Sequence, residues 1–527
     1  MGDIYIYMLV ALAFLAVADL VVGVSNDAVN FLNSAIGSKA VPFKTIMLVA
    51  SLGVAVGALT SSGMMEVARK GIFNPSEFMF DEIMIIFMAV MITDILLLDF
   101  FNTLGLPTST TVSIVFELLG ASVCLAIIKI TSDNSQSILD LGNYINNEKA
   151  IEIILGILLS VVVAFSIGAI IQFFSRLLLS FDFNNKPNLF GAVFSGVAVT
   201  SIMYFILIKG IKNASFMDQN IKGLISENPN AIIGLGFIFF TIISLSLMSF
   251  FKTNIYKIII VVGTFALAVA FAGNDLVNFI GVPIAALDSY TNWSVSGVLP
   301  TEFKMTSLSE AIATKPYLLL IAGLIMVLTL WFSSKAKAVV KTSVDLSSQD
   351  STKERFEPNF LSRSIVRMSI TASENFNTML PETVKIQIDN QFKKPNSTIA
   401  LKPEDKPAFD LVRAAVNLMV ASVLISIATS MKLPLSTTYV TFMVAMGTSL
   451  ADRAWGSESA VYRVAGVLNV IGGWFFTALS AFVAAAIMAF ILFYGRGYAL
   501  TALLIFAIAL LVRNYLKHRK HTIEQKV

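Results

Sequence analysis

The chain of 527 residues has little charge and almost no cysteine or histidine. Only 13% of its residues are charged, against the ~25% that is usual in soluble domains, and 56% are hydrophobic. The 37 basic and 34 acidic residues nearly balance, which excludes the basic surface that nucleic-acid binding requires. These proportions argue against a soluble multidomain enzyme and against a disordered protein. They indicate a protein embedded in a membrane.

The scarcity of cysteine and histidine also limits the chemistry available inside that membrane. Cys124 is the single cysteine, so the chain forms neither an intrachain disulfide nor a cysteine-ligated zinc cluster. Both histidines, His518 and His521, lie in the last ten residues, which excludes a histidine relay or a histidine-ligated metal in the apolar body. Any site in the membrane must therefore use carboxylates, amides, hydroxyls and the backbone.

Apolar runs long enough for a transmembrane helix, which needs ~20 residues, recur along the chain. They predict an all-α polytopic membrane protein with about 12–13 transmembrane helices. Pro107 and Pro434 interrupt two of these apolar regions, which predicts broken helices or hairpins there. The segment 341–410 carries ten basic and ten acidic residues and has no apolar run long enough to span. A solvated tether is the favoured interpretation of this segment, and a regulatory or partner-binding role is the alternative.

The positions of the basic residues predict how the chain is oriented, because lysine and arginine stay on the cytoplasmic side. If the N-terminus is outside, the basic residues after the first, fifth and seventh apolar runs fall inside, as do the segment 335–410 and the C-terminal tail. Arg69, Lys70 and the three lysines at 209, 212 and 222 are exceptions. We therefore predict a multi-pass protein of the cell (inner or plasma) membrane, with its N-terminus outside and its C-terminus inside.

Two pairs of matching segments indicate that the chain is an internal duplication. The motif N-D-x-V-N-F occurs at 26–31 and at 274–279, and L-P-x-S-T-T occurs at 106–111 and at 433–438. By the loop charges, the first copy enters the membrane from outside and the second from inside. The two repeats are therefore predicted to have inverted topology, the arrangement that alternating-access transporters use to place a substrate site near the midplane.

This duplication predicts a division of the chain into six parts. They are a first inverted repeat core at 1–131, connecting transmembrane helices at 132–251, the first part of the second repeat at 252–334, a cytoplasmic polar loop at 335–410, the second part of the second repeat at 411–495, and an extra C-terminal helix with a basic tail at 496–527.

Each N-D-x-V-N-F motif places an aspartate inside an apolar span. An ionised aspartate at the centre of a membrane helix costs roughly 2.5–3.5 kcal/mol, so Asp27 and Asp275 need a partner or a water-filled cavity. The flanking asparagines supply amide oxygens, and oxygen ligands of this kind suit a hard cation such as Na⁺. A purely structural role as a helix cap is the alternative, which the duplication weakens. The Na⁺ ligands predicted in these motifs are Asp27, Asn30, Asp275 and Asn278.

The L-P-x-S-T-T motif predicts that one helix ends and another begins, because proline removes a backbone donor and serine or threonine caps the new helix. The free N–H groups and the positive dipole end of a helix N-terminus form a ready anion site. The hydroxyls of both copies can add donors to a tetrahedral oxyanion. Either copy alone would be an ordinary proline kink, but two copies together with two Asn-Asp motifs favour a ligand site.

Anion-binding helix ends and two carboxylates share a cavity only at an electrostatic cost. At 4 Å and an effective dielectric of 20, each like-charge pair costs about 4 kcal/mol, and a cation between the charges reverses the sign. The combination therefore predicts a cation-coupled anion symporter, in which Na⁺ or H⁺ neutralises the aspartates before the oxyanion binds.

These motifs resemble the inorganic phosphate transporter (PiT) family, whose signature G-A-N-D-V-A-N-A occurs near the start of each half. Here the matching segments are 23–30 and 272–278, and the family's P-x-S-T-T segments match 107–111 and 434–438. The resemblance covers roughly 1–130 and 256–495. It implies a secondary active transporter that imports inorganic phosphate by symport with a cation through alternating access. By this resemblance, phosphate would contact Asn26, Asp27, Asn274, Asp275, Ser109, Thr110, Thr111, Ser436, Thr437 and Thr438. The resemblance also implies that Ser109 and Ser436 join the Na⁺ ligands, and Glu66 is a weaker candidate for the site.

One departure from the family pattern bears on the coupling ion. Family members commonly have histidine after S-T-T, where this chain has Val112 and Tyr439. Because the apolar part of the chain has no histidine, Na⁺ is favoured over H⁺ as the coupling ion. H⁺ stays an alternative, since a carboxylate could carry the proton. No cofactor is expected beyond Na⁺ as the coupling ion. The expected partners are inorganic phosphate, Na⁺ or H⁺ and the lipid bilayer, without nucleic acid, and a homodimer stays open.

Two alternatives compete with phosphate symport. Hydroxyls and helix ends also bind other tetrahedral anions, so a transporter of sulfate or of metal–phosphate complexes is the nearer one. An intramembrane aspartyl protease also uses two membrane aspartates, but they must share a proton and take asymmetric roles. The chain has its two aspartates in the same context and lacks the Gly-x-Gly-Asp type of motif. The sequence therefore predicts a transporter rather than an enzyme.

Overall fold

The computed structural model is almost entirely helical, and no β-strand occurs among the residues that it describes. The structure describes residues 3–61, 71–104, 108–210, 227–310, 314–333, 381–393, 407–453 and 457–524. It also describes single residues or short groups between 65 and 68 and between 360 and 371. Within these ranges, ten helices are long and apolar enough to cross a membrane. The predicted fold class, an all-α polytopic membrane protein, is confirmed.

The first repeat core contains five helices. Between α1 and α2 only Ala28 intervenes, and its backbone is helical (φ −53°, ψ −30°), so the two helices form one nearly continuous rod. The helices are α1 (Asp3–Asp27), α2 (Val29–Gly37), α3 (Phe43–Thr60), α4 (Phe80–Leu104) and α5 (Thr110–Ser132).

Three further helices connect the two repeats. The last of these is mostly exposed. Only 6% of its most apolar 18-residue stretch is buried, which leaves an apolar surface suited to lipid. The connecting helices are α6 (Asn147–Leu179), α7 (Asn188–Ile202), which continues as a π-helix over Met203–Gly210, and α8 (Pro229–Phe250).

The second repeat begins with a membrane helix of 40 residues that is largely enclosed by protein. Of its most apolar 18-residue stretch, 72% is buried. A short helix from the polar loop, α11, lies between the two parts of this repeat. The helices are α9 (Ile255–Ser294), α10 (Pro316–Phe332), α11 (Glu382–Gln391), α12 (Leu411–Ser430), α13 (Thr437–Ala451) and α14 (Ser457–Glu524).

The ten spanning helices are fewer than the 12–13 predicted, for two structural reasons. With 17 and 15 residues, α10 and α13 are shorter than the ~20 residues that a full crossing requires. The apolar stretch from Val464 to Arg513 counts as one span in that total, although a kink at Arg496, where φ is 46° and the backbone is not helical, divides α14 into two helices.

Small residues allow α3 to pack very closely against α9. A Cβ atom added at Gly53 or Gly57 would collide with the backbone carbonyl oxygens of Phe265 and Val269. Pairs of small residues four apart are the usual means by which membrane helices approach closely. The contact supports the segment of α9 that carries the second N-D-x-V-N-F motif.

Labelling of introduced cysteines tests the predicted inverted topology. In a Cys124→Ala background, we expect Lys39→Cys, after the first copy, and Thr253→Cys, before the second, to react with an impermeant maleimide from the cytoplasmic side. We expect Ser135→Cys, in the exposed turn after α5, to react from outside. The measurement is maleimide labelling of right-side-out and inverted vesicles. Labelling of Lys39→Cys and Thr253→Cys from opposite faces would contradict the inversion.

Candidate functional site

Each L-P-x-S-T-T motif ends one helix and starts another, as predicted. In the first repeat, α4 ends at Leu104 and α5 begins at Thr110. Ser109 caps the new helix, because its hydroxyl oxygen accepts a hydrogen bond from the backbone N–H of Val112 at 3.2 Å. Pro107 itself lies outside the described residues.

The second repeat has the same break with the same cap. The α12 helix ends at Ser430, and α13 begins at Thr437. The Ser436 hydroxyl accepts from the backbone N–H of Tyr439 at 3.2 Å, so it occupies the position that Ser109 has in the first repeat. Each break thus presents a helix N-terminus, followed by two threonine hydroxyls, in the interior of the protein.

The asparagine that ends each N-D-x-x-N motif binds the threonines of the other repeat. The Nδ2 group of Asn30 donates to Thr437 at 3.2 Å and to Thr438 at 3.0 Å. The Nδ2 group of Asn278 lies 3.3 Å from the Oγ1 atom of Thr110 and 2.9 Å from that of Thr111. The contacts therefore cross between the repeats, because the asparagine of each repeat binds the threonines that begin the capped helix of the other repeat. We call this set of contacts the crossed network.

Each aspartate accepts hydrogen bonds from threonines of both repeats. The Thr110 hydroxyl donates to Oδ2 of Asp27 at 2.9 Å, and the Thr438 hydroxyl lies 3.5 Å from Oδ1 of the same carboxylate. Oδ1 of Asp275 lies 3.4 Å from the Thr111 hydroxyl, and Oδ2 accepts a short hydrogen bond from Thr437. The first threonine of each motif thus contacts the aspartate of its own repeat, and the second threonine contacts the aspartate of the other repeat.

The asparagine that precedes each aspartate holds the polypeptide at a helix break. The Nδ2 group of Asn26 donates to the Thr108 hydroxyl at 2.9 Å. The Nδ2 group of Asn274 donates to the backbone oxygen of Leu435 at 2.7 Å and lies 2.9 Å from Oδ1 of Asp275. These contacts fix each break against the helix that carries the aspartate.

The assembled residues are enclosed by protein. All twelve side chains predicted for the site, excluding Glu66, are at most 6% exposed, and Asp275 and Ser436 are 0% exposed. The two carboxylates also interact electrostatically with each other, so a cation between them would replace repulsion with attraction. Carboxylate, amide and hydroxyl oxygens are available to a hard cation, while threonine hydroxyls and helix N-termini are available to an oxyanion.

The structure brings together every predicted site residue that it describes. Glu66 lies outside the described residues. Ser109 and Ser436 are engaged through their oxygens as helix caps, which leaves their O–H groups as donors to a ligand.

Sequence reasoning missed several buried charged residues. Asp19, Asp94 and Glu117 lie inside apolar spans and are 0% exposed. A systematic inspection of every acidic residue inside an apolar run would have found them, because such residues are rare and need a partner. The buried ion pair between Arg176 and Asp452, joined at 2.7 Å, had no such signal, because both residues lie at the ends of helices.

The family model described as the phosphate transporter family matches residues 23–343, which is more than half of the chain. The chain belongs to the phosphate transporter family. The resemblance inferred from the motifs is therefore confirmed, and the family is one of transporters rather than enzymes.

Two individual proteins are also similar to this family member. The putative phosphate permease of Pyrococcus abyssi (strain GE5 / Orsay) is 26% identical over 289 residues, which cover 52% of this chain. The chain spans 65% of the length of that relative. The solved structure of a sodium-dependent phosphate transporter aligns with a TM-score of 0.62 at 18% identity, over 92% of this chain and 99% of the other. At that identity, the likeness establishes a shared fold.

Proposed function

We propose that this protein imports inorganic phosphate by symport with Na⁺ through alternating access. The observation that carries the proposal is the crossed network of the two Asn-Asp motifs and the two Ser-Thr-Thr helix starts. In that network, the carboxylates of Asp27 and Asp275 meet hydroxyls of both repeats inside the protein. Family membership supports the choice of phosphate, and the likeness to a sodium-dependent phosphate transporter supports the choice of Na⁺.

The electrostatics of the site support obligatory coupling. Without a cation, the two carboxylates repel an incoming phosphate. A cation bound by the oxygens of Asp27, Asn30, Asp275 and Asn278 neutralises this charge and leaves the helix N-termini and threonine hydroxyls to bind the anion. Cation and phosphate then favour each other's binding by the same factor, as linkage requires.

The crossed contacts also suggest how access could alternate. Asn30 and Asn278 join each repeat to the other through threonines, so rocking of one repeat against the other would exchange these hydrogen bonds at the site. The ligand would remain in place at the midplane while the path on either side opens or closes.

Uptake of labelled phosphate into liposomes that contain the purified protein tests this function. We expect uptake to require an inward Na⁺ gradient and to change little when the pH gradient alone is imposed. The tracer should be displaced by excess unlabelled phosphate and by arsenate, which has the same tetrahedral geometry, and sulfate should compete weakly.

Three results would point elsewhere. Uptake that is driven by a pH gradient and is indifferent to Na⁺ would replace Na⁺ with H⁺ as the coupling ion. Sulfate uptake that exceeds phosphate uptake would favour the alternative oxyanion substrate. Phosphate uptake that requires a divalent metal would favour transport of metal–phosphate complexes. Empty liposomes and liposomes that contain the Asp275→Asn variant serve as controls.

A further inference from the structure

A second group of buried carboxylates lies outside the crossed network, in the first repeat. Asp19 on α1, Asp94 on α4 and Glu117 on α5 are all 0% exposed. The carboxyl groups of Asp19 and Asp94 lie within hydrogen-bonding reach of one another, and both interact electrostatically with Glu117. We call these three residues the carboxyl triad.

Protein donors reach few oxygens of the carboxyl triad. Among the described residues, no hydrogen bond reaches either oxygen of Asp19, either oxygen of Asp94 or Oε2 of Glu117. The Ser113 hydroxyl donates to Oε1 of Glu117 at 2.9 Å. Buried carboxylates without donors or counter-charges do not stay ionised, so this group requires a positive species that the described side chains do not supply.

The internal duplication shows that the fold itself does not need carboxylates at these places. Counted from the shared N-D-x-V-N-F and L-P-x-S-T-T motifs, the equivalent positions in the second repeat are Leu267, Ala421 and Val444. These three residues are buried to the same degree, with exposures of 2%, 1% and 0%. Three apolar positions of one repeat are thus all acidic in the other, which is what a site added to one half would require.

Within the described ranges, no basic side chain faces the triad from the helices packed around it. The α10 helix, which contacts α1, has no charged residue. The further charged groups in this neighbourhood are acidic as well: Asp27 on α1 interacts with Asp19 and Asp94, and Asp275 on α9 interacts with Asp27. On α14, which packs against α4 and α5, the guanidinium of Arg496 is engaged with Asp81 at 3.0 Å.

We propose that the carboxyl triad is a proton-binding site, distinct from the crossed network, in which Asp19 and Asp94 share a proton beside Glu117. The direct approach of two carboxyl groups favours a proton over Na⁺, because paired carboxyl groups hold one proton between them when both cannot ionise. Among the described residues, no group of three or more aspartate, glutamate, histidine or cysteine side chains is arranged to hold a metal ion, which also favours a proton over Na⁺.

The consequence for transport rests on the proposed function. Asp19 precedes Asp27 by eight residues on the same helix, a separation of roughly 12 Å along the axis at 1.5 Å per residue. The two groups interact electrostatically across this distance, and Asp94 also interacts with Asp27. Loss of the triad proton would add negative charge near the cavity that receives the phosphate.

Infrared difference spectroscopy of the purified full-length protein tests the proton site without relying on transport. We expect wild-type protein at neutral pH to show the carbonyl stretching band of a protonated carboxyl group, which shifts in D₂O and disappears as the pH is raised. Asp94→Asn and Asp19→Asn should each lose or shift this band. Combined replacement by the second-repeat residues, Asp19→Leu, Asp94→Ala and Glu117→Val, should abolish it.

A matched control is Asp133→Asn, at the exposed end of α5. The hydroxyl and N–H of Ser135 donate to Asp133 and hold the pKa of that carboxyl below its ordinary value, so it is ionised at neutral pH and its replacement should leave the band unchanged.

The outcomes separate this inference from the proposed function. A wild-type spectrum without the protonated band, or a band that persists in all the triad variants, would overturn the proton site. A band that disappears on addition of Na⁺ at constant pH would also overturn it, since the ion bound would then be sodium. If the band behaves as expected in protein that takes up no phosphate, the proton site stands and the proposed transport function fails.

Discussion

Replacement of Asp275 by asparagine is expected to lower Na⁺-driven phosphate uptake by about 10- to 100-fold, because hydrogen bonds to a charged group are worth about 1.5–3 kcal/mol and each 1.4 kcal/mol is about tenfold. The asparagine has the same shape but no charge with which to hold a cation. It also turns an NH₂ group toward donors, because the oxygens of Asp275 face Thr111, Thr437 and Asn274. Asp27→Asn should have a similar effect, since Asp27 has the equivalent position in the crossed network.

The measurement is the initial rate of phosphate uptake into liposomes at saturating Na⁺. The matched control is Asp288→Asn, which removes a carboxylate from the same helix, α9, but away from the two helix breaks. It should retain uptake near the wild-type rate. Folding is checked by the stabilisation that Na⁺ and phosphate confer on thermal unfolding in detergent, which the control should keep and Asp275→Asn should lose. Undiminished Na⁺-coupled uptake by both aspartate variants would refute the proposed site.

Replacement of Arg176 by methionine is expected to destabilise the protein by about 3–5 kcal/mol, because it removes the cation that balances the buried carboxylate of Asp452. Arg176 and Asp452 are both 0% exposed and are joined by two contacts, at 2.7 and 2.8 Å. The same guanidinium contacts Asp410, at the start of α12, at 2.7 Å. It therefore ties α6 to both helices that flank the second break.

An exposed ion pair of the same length provides the control. Arg453 and Asp389 are also 2.7 Å apart, but their side chains are 54% and 59% exposed. Arg453→Met should cost only about 0.2–1 kcal/mol, because exposed pairs contribute little. The measurement is thermal unfolding in detergent, monitored by the loss of the monodisperse peak. Adding Asp452→Asn to Arg176→Met should recover part of the stability, since it removes the buried negative charge that Arg176 balances. Equal losses from the Arg176 and Arg453 variants would contradict the argument.

Much of the architecture could be predicted from the sequence because its signals are local. In each repeat, proline followed by Ser-Thr-Thr predicts the end of one helix and the cap of the next, and the structure has both breaks, with Ser109 and Ser436 as caps. The apolar runs indicate which parts of the chain form membrane helices. The number of full spans was less predictable, because α10 and α13 are short.

For the candidate site, the sequence could predict the members but not their contacts. The motifs identify Asp27, Asp275 and the threonines by repetition, but nothing in the spacing says that Thr438 would approach an aspartate 411 residues away. The crossing of the repeats is a property of how the two halves pack. The inverted topology and the roles of these residues in binding stay predictions that the labelling and uptake experiments test.

By itself, the sequence determined that this is a helical membrane protein, that it is duplicated, and that its polar residues are concentrated at matching helix breaks. Composition, apolar run length and motif repetition are properties of the chain before it folds. Only the tertiary structure decided that each aspartate is shared between the repeats, that Arg176 is buried against Asp452, and that Asp19, Asp94 and Glu117 are buried and interact electrostatically. Those facts depend on packing between helices that are distant in sequence. Burial places their charged groups in a low-dielectric environment, which strengthens the interactions between them.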